Sequence, residues 1–204
     1  MTNMHKTLAA VAAGTFFMSV GPSHATELTL AQNQSPISGV TMVAKELGYF
    51  EQEGLTVEVS AFTSGREALN SVLGGSADIA TTAEAPTTAA AMSGQPIAFL
   101  ARTEYSDLKT LARTNADIDT LTDLDGATIG YAAGTGSEVY TSALLAEANI
   151  STDNVQLVNM RPTEMLSAIA SGSIDAFNIW EPHIINAKTA LGDEVTELDT
   201  SGIY

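Results

Sequence analysis

The chain has 204 residues, of which 45% are hydrophobic and 16% are charged, and it contains no cysteine. This composition supports a buried core and argues against a disordered chain or a disulfide-stapled fold. With 24 acidic and 8 basic side chains the formal net charge is −16, so the surface lacks the basic face that nucleic-acid binding needs.

Residues 1–25 have the pattern of a secretory signal peptide. Lys6 precedes an apolar run over residues 8–20, and Ser23-His24-Ala25 matches a small-x-small cleavage site. A membrane anchor would need roughly 20 apolar residues without breakers such as Gly21 and Pro22. The sequence therefore predicts a soluble periplasmic protein without a lipid anchor, and secretion into the medium stays open.

From residue 26 onward, short apolar runs alternate with helical patterns, as in an α/β protein with a largely parallel sheet. The pattern begins again at residue 127, after a polar stretch over residues 102–125 that we interpret as a crossover or hinge. Strands are predicted at 28–31, 56–62, 77–82, 96–101, 127–131, 155–158 and 176–179, and helices at 38–47, 64–73, from Pro86 and at 134–148.

Two segments of the chain match each other in register. Residues 68–78 and 165–175 both contain a helix end, a small-residue turn and a final aspartate, Asp78 or Asp175. Helix–turn–strand units recur in any α/β protein, so this match alone only suggests a repeat. Since the flanking units are also in order, the sequence predicts two similar lobes, with a ligand cleft where the carboxyl ends of the strands face each other.

Several motifs resemble one family. Residues 44–59 (AKELGYFEQEGLTVEV) are similar to its first helix, Gly-Tyr-Phe turn and second strand, and further matches are GSADIA at 75–80, LTDLDG at 121–126, SGSIDA at 171–176 and WEPH at 180–183. Over residues 28–183 the chain resembles the substrate-binding proteins of nitrate-, sulfonate- and taurine-type ABC importers, which are related to thiamine-precursor binding proteins.

The resemblance implies a two-lobed periplasmic binding protein of type II, a monomer when complete, that closes on a small-molecule ligand and presents it to an ABC permease in the inner membrane. Family members return to the first lobe after the Trp-Glu-Pro segment, whereas this sequence stops at Tyr204. We therefore expect lobe 1 to be incomplete at the C-terminus. The expected boundaries are 26–104 for the first part of lobe 1, 105–190 for lobe 2, and 191–204 for the start of the return to lobe 1.

The glycine-rich stretch 134–137 is the most informative candidate for ligand binding. Thr135, Gly136 and Ser137 open a helix, so they offer main-chain N–H groups, hydroxyls and the positive end of a helix dipole to an anionic group. The alternative is an ordinary helix start that Thr135 or Ser137 caps. The resemblance favours the binding interpretation.

Two pairs of residues in the first lobe are candidates for the opposite wall. Ser64 and Gly65 open the equivalent helix, and Gln34 and Ser35 follow the first strand. Most residues in such positions are caps and loop formers, so the binding role is here a hypothesis beside an ordinary structural one.

Trp180, Glu181 and Glu84 complete the candidate set. Trp180, the only tryptophan, could pack on the aliphatic part of a ligand, or it could belong to the core between the lobes. Glu181 could pair with a ligand amine or be a surface acid, and Glu84 could line the pocket or favour a helix N-terminus by its charge. Two acids in the cleft would suit a zwitterion such as taurine.

Catalysis, metals and cofactors have little support in the sequence. After cleavage of the leader, His183 is the only histidine, and no cysteine exists to act as a nucleophile or metal ligand. The stretch 134–137 lacks the Gly-Lys-Ser/Thr ending of a phosphate loop. An enzyme or a sensory module on the same fold remains a rival to transport, and sulfonates, carboxylates, nitrate and a thiamine pyrimidine precursor remain possible ligands.

Overall fold

The computed structural model describes residues 25–105, 107–200 and 202–203. Apart from Ala25, the predicted signal peptide lies outside this part of the chain. No helix in the described ranges is long and apolar enough to cross a membrane. The strands are β1 Thr26–Asn33, β2 Leu55–Phe62, β3 Ile79–Ala80, β4 Leu108–Arg113, β5 Thr128–Tyr131, β6 Gln156–Asn159, β7 Ala176–Trp180 and β8 Val195–Glu197. The α-helices are α1 Gly39–Glu46, α2 Tyr49–Gln52, α3 Gly65–Leu73, α4 Glu84–Met92, α5 Gly136–Glu147, α6 Met165–Ser171 and α7 His183–Leu191.

These elements form two α/β lobes, each built on its own sheet. The first sheet has the order β2-β1-β3, and its strands are parallel. The second has the order β6-β5-β7-β4-β8, in which β5 is parallel to β6 and β7 while β4 is antiparallel to β7 and β8. The architecture is a two-lobed α/β fold, with three strands in the first lobe and five in the second among the described residues.

Three local predictions need correction. Residues 96–101 form no strand, and Phe99 and Leu100 are 72% and 73% exposed, because no described strand lies beside them to complete the hydrogen-bond ladder. The presumed hinge 102–125 contains β4, whose Leu111 is fully buried in the second sheet. Residues 195–197, assigned to the return to lobe 1, form β8 and pair with β4 instead. The boundary between the lobes near residue 104 stays a prediction.

The internal repeat predicted from the two aspartates is confirmed at the level of hydrogen bonds. In the first lobe Asp78 Oδ2 accepts from the Thr29 main-chain N–H at 2.8 Å, and in the second lobe Asp175 Oδ2 accepts from the Thr128 N–H at 2.9 Å. The main-chain N–H of each aspartate also donates to the carbonyl of the same threonine. Each aspartate therefore joins the start of one strand to the parallel strand beside it, β3 to β1 and β7 to β5.

The core of the second lobe contains a buried network of polar side chains. Thr110 Oγ1 donates to Asn178 Oδ1 at 2.8 Å, and Asn178 Nδ2 donates to Thr141 Oγ1 at 2.8 Å. Thr141 Oγ1 in turn donates to the Ser137 carbonyl at 2.7 Å, and the Tyr140 hydroxyl lies 3.0 Å from Thr110 Oγ1. This network joins β4 and β7 to α5 and so fixes where α5 begins.

Candidate ligand-binding site

A cavity of about 890 Å³ lies where the two lobes face each other. The ends of β1 and β3, the first turns of α3 and α4, and residues 96–104 form its first-lobe wall, while the start of α5 and the end of β7 contribute from the second lobe. This is a size at which proteins bind small molecules, and it lies at the carboxyl ends of parallel strands, where α/β sheets bind ligands.

The residues that line the cavity carry buried polar side-chain atoms that have no hydrogen-bond partner. In the described part of the chain, the buried side-chain atoms without a hydrogen-bond partner are Asn33 Oδ1, Ser35 Oγ, Thr82 Oγ1 and Trp180 Nε1. All four belong to residues that line this one cavity. Buried polar groups are normally hydrogen-bonded, and each unpaired one costs about 1–3 kcal/mol. The four atoms therefore mark a surface that suits the polar groups of a ligand.

On the second-lobe wall, the hydroxyls of Thr135 and Ser137, which were predicted to bind a ligand, form hydrogen bonds within the protein. Thr135 caps α5: its Oγ1 accepts from the Ser137 N–H and donates to the Ala132 carbonyl at 2.7 Å. Ser137 is fully buried, donates to the Asn178 carbonyl at 2.6 Å and does not line the cavity. Gly136 does line it, and its N–H, at the first helical position, has no acceptor within the helix.

On the first-lobe wall, too, some of the predicted residues line the cavity and others do not. Ser64 Oγ caps α3 by accepting from the Glu67 N–H at 3.2 Å, and Ser64 does not line the cavity, whereas Gly65 does. Gln34 is exposed and lies outside the lining, while Ser35 is buried and belongs to it. Of the two residues predicted after β1, Ser35 therefore lines the cavity and Gln34 does not.

Of the remaining candidates, Trp180 and Glu84 line the cavity and Glu181 does not. Glu181 Oε2 accepts from the Ile185 N–H at 3.0 Å, and its carboxylate lies 3.6 Å from Lys109 Nζ. Glu181 therefore caps α7 and pairs with a lysine. The predicted residues that the structure brings together are Ser35, Gly65, Glu84, Thr135, Gly136 and Trp180.

Among the lining residues that the sequence did not point to, Asn33, Arg66 and Thr82 carry polar groups that the site can use. Asn33 and Thr82 lie at the carboxyl ends of β1 and β3, so the rule that pointed to Gln34 and Ser35 could have found them. Arg66 directly follows Gly65 in the first turn of α3. Its position in the sequence gives no sign that its side chain reaches the second lobe.

His183 is a titratable residue that contacts Trp180 of the cavity lining. It begins α7 and packs edge-to-face against Trp180, with ring centroids 6.2 Å apart. Burial lowers the pKa of His183 below its ordinary 6.5, although the charge of Glu181 opposes the shift. The unfolded chain therefore takes up this proton at a higher pH than the folded protein, so the free energy of unfolding falls as the pH drops below 6.5.

We expect the variant His183→Gln to lack this part of the pH dependence. Urea unfolding between about pH 7 and about pH 5 measures it, since carboxylates contribute mainly at lower pH. The wild-type chain should lose stability over this interval and the variant should lose less. Equal slopes for the two proteins would contradict the assignment.

Thr82 tests whether the unpaired atoms serve binding at the expense of stability. Thr82→Val removes an unpaired buried hydroxyl, so we expect the unliganded protein to gain up to about 1 kcal/mol in urea unfolding while ligand binding weakens. The matched control is Thr110→Val, whose hydroxyl bonds Asn178 and Tyr140; this variant should lose about 1–3 kcal/mol. Equal losses in both variants would disprove the distinction.

Comparison with known proteins finds one matching family model and several similar proteins. Residues 35–198 match the family model described as NMT1/THI5 like. A protein of Brucella abortus (strain 2308) named as a candidate binding protein is 29% identical over 151 residues, which are 74% of this chain and 46% of that protein. A Bacillus subtilis (strain 168) protein named as a candidate aliphatic sulfonates-binding protein is 27% identical over 186 residues, 85% of this chain and 54% of that protein.

A solved structure shares the fold. The alkanesulfonate-binding protein SsuA from Xanthomonas axonopodis pv. citri, bound to MOPS, superposes with a TM-score of 0.72 at 21% identity, over 84% of this chain and 60% of that one. The chain spans about half the length of the curated relatives it matches. Because the family model covers most of the chain, the protein belongs to the NMT1/THI5 like family.

Proposed function

We propose that this protein is the periplasmic solute-binding component of an ABC importer and that it captures a small anionic or zwitterionic ligand, such as an alkanesulfonate, taurine or nitrate. The observation that carries the proposal is the set of four unpaired buried polar atoms, all on residues lining one cavity between two lobes. A ligand that bonds to both walls would hold the lobes together, and a closed, loaded form is what a permease can recognise.

The lining favours a ligand with both polar and apolar parts. Asn33 Oδ1 offers an acceptor, and the Ser35 and Thr82 hydroxyls offer donors. Gly136 adds its main-chain N–H at the positive end of α5. The Trp180 indole supplies an apolar surface and one donor. This combination suits an organic anion with a short aliphatic part, in agreement with the sulfonate ligands in the names of two relatives.

Binding rather than catalysis is the role that these groups support. Among the described residues, no hydroxyl that lines the cavity is hydrogen-bonded to a histidine, as that of an activated nucleophile would be. Asp78 accepts from Thr29 in the first sheet, and His183 packs on Trp180. We therefore propose a transport protein whose partners are its ligand and an inner-membrane permease.

Thermal unfolding with a ligand panel tests the proposal. The panel contains taurine, ethanesulfonate, nitrate, bicarbonate and a thiamine pyrimidine precursor. A ligand present at 100 times its Kd stabilises the native state by about 2.7 kcal/mol, which raises the melting temperature. Trp180 is the only tryptophan and lines the cavity, so its fluorescence reports binding at this site directly.

We expect one charged ligand class to raise the melting temperature and to change the Trp180 emission at the same concentrations. A response to the pyrimidine precursor alone would replace the anion proposal by precursor binding. A cooperatively folded protein that responds to none of the compounds by either measurement would contradict the proposed function.

A further inference from the structure

Arg66 stands out among the charged residues of the cavity. Arg66 and Arg102 are the cationic side chains among the described lining residues. The Arg102 guanidinium lies over the ring of the exposed Tyr105, 4.3 Å from its centroid, and so is held at the rim. Arg66 projects from the first turn of α3 toward the second lobe. In a chain with a net charge of −16, a cation at this position calls for an explanation.

The second lobe holds Arg66 in place without neutralising it. Arg66 Nη1 donates to the Ala133 carbonyl at 2.8 Å, across the cleft. The guanidinium lies so close to Gly134 that a Cβ on this residue would be 2.7 Å from Arg66 Nε. Within the described residues Arg66 forms no ion pair with a carboxylate. Its fixed partner is thus a neutral carbonyl, and its positive charge remains available.

We propose that Arg66 recognises the negatively charged group of the ligand; this inference rests on the proposed solute-binding function. A guanidinium has five N–H donors, and the Ala133 carbonyl occupies one of them. The remaining donors lie beside the turn that leads into α5, where Gly136 lines the cavity. An anionic group there meets a cation and a helix N-terminus together, while the buried Ser35 and Asn33 supply unpaired polar atoms on the first-lobe wall.

The local acids do not oppose this role. Glu138 Oε2 accepts from the Gly134 N–H at 2.8 Å, and Glu138 does not line the cavity. Among the described residues, the acids that line the cavity are Asp78, Glu84 and Glu104; Asp78 accepts from the Thr29 N–H, and Glu84 lies at the start of α4. A zwitterion could place its amine toward Glu84 and its anionic group toward Arg66.

The test compares an anion with a neutral molecule of the same shape. Isothermal titration measures the affinities of ethanesulfonate and of ethyl methyl sulfone for the wild-type protein, for Arg66→Gln and for the control Arg161→Gln. Arg161 is an exposed arginine outside the cavity lining. We expect Arg66→Gln to weaken ethanesulfonate binding about tenfold or more, as the loss of a charge-assisted hydrogen bond does, and to leave sulfone binding unchanged. Arg161→Gln should change neither affinity by more than about twofold.

Gly134→Ala is a second, independent variant. The added methyl group must displace the Arg66 side chain and also strains a backbone with φ +71°, so it should weaken ethanesulfonate binding; the part of this loss that is due to Arg66 should disappear when the change is combined with Arg66→Gln. If Arg66→Gln binds ethanesulfonate within twofold of the wild-type protein, the role of Arg66 is overturned while solute binding stands. If the folded wild-type protein binds neither these probes nor the ligand panel, the proposed function and this inference both fail.

Discussion

Replacing Asn178 by leucine is expected to lower the free energy of unfolding by about 3 kcal/mol, because the buried hydroxyls of Thr110 and Thr141 each lose one hydrogen bond at once. Asn178 is 0% exposed and joins Thr110 on β4 to Thr141 on α5 through its two amide atoms. Leucine branches at the same carbon as asparagine but is larger, and it offers neither an acceptor to Thr110 nor a donor to Thr141. The lost stability therefore combines the missing hydrogen bonds with the strain of a larger side chain.

Asn186→Leu is the matched control for this prediction. Asn186 lies on an exposed position of α7, so the same replacement should change stability by no more than about 0.5 kcal/mol. Urea unfolding of both variants gives the comparison, with the m-value as a check that the unfolded states are alike. Similar losses in the two proteins would show that the buried network does not stabilise the second lobe.

The same variant should also affect the site, because the network determines where α5 begins. Ser137 Oγ donates to the Asn178 main-chain carbonyl, and the Ser137 carbonyl accepts from Thr141. A leucine at position 178 removes the amide that donates to Thr141, and with it one of the bonds between β7 and α5, so Gly136 is held less firmly in the cavity wall. We expect ligand affinity to fall in Asn178→Leu and to be retained in Asn186→Leu.

Features that depend on a short stretch of sequence could be predicted well. Ser64 and Thr135 each precede a helix and cap it, as expected of small polar residues in that position. The aspartates of the repeat also occupy equivalent positions, because each follows the same small-residue turn, although the bonds that they accept span 49 and 47 positions. Local conformation determines the caps and the turns, so the residues around them carry the signal.

Features that depend on distant parts of the chain could not be predicted. Residues 96–101 have an apolar pattern suited to a strand, but strand formation needs a neighbour that sequence does not name. The direction of the Ser137 hydroxyl depends on a carbonyl of β7, 41 positions away. Arg66 reaches a carbonyl 67 positions away. The site's unpaired atoms can be recognised only when all possible partners have been placed.

Gly65→Ala is the second change with a large expected effect, and it acts on the opposite wall of the cavity. A Cβ on Gly65 would lie 2.9 Å from Thr82 Cα and 3.0 Å from the Ala83 nitrogen. Both atoms belong to the main chain, so a rotamer change cannot relieve the contact, and α3 must move away from the segment after β3. Overpacking of this kind typically costs about 1–3 kcal/mol.

The movement would also separate residues that share the ligand. Gly65 and Arg66 lie in the first turn of α3, and Thr82 with its unpaired hydroxyl lies on the other side of the close contact.

Gly39→Ala provides the control, since Gly39 also lies at a helix start, has φ −52°, and has no atom within 4 Å of an added Cβ. Because alanine favours a helix over glycine, that variant should keep or gain stability by up to about 1 kcal/mol. Both variants replace glycine by alanine, but urea unfolding and Trp180 fluorescence titration should show losses of stability and binding for Gly65→Ala alone. If Gly65→Ala matched Gly39→Ala in both measurements, the close approach of α3 to residues 82–83 would not be needed for the fold or for the site.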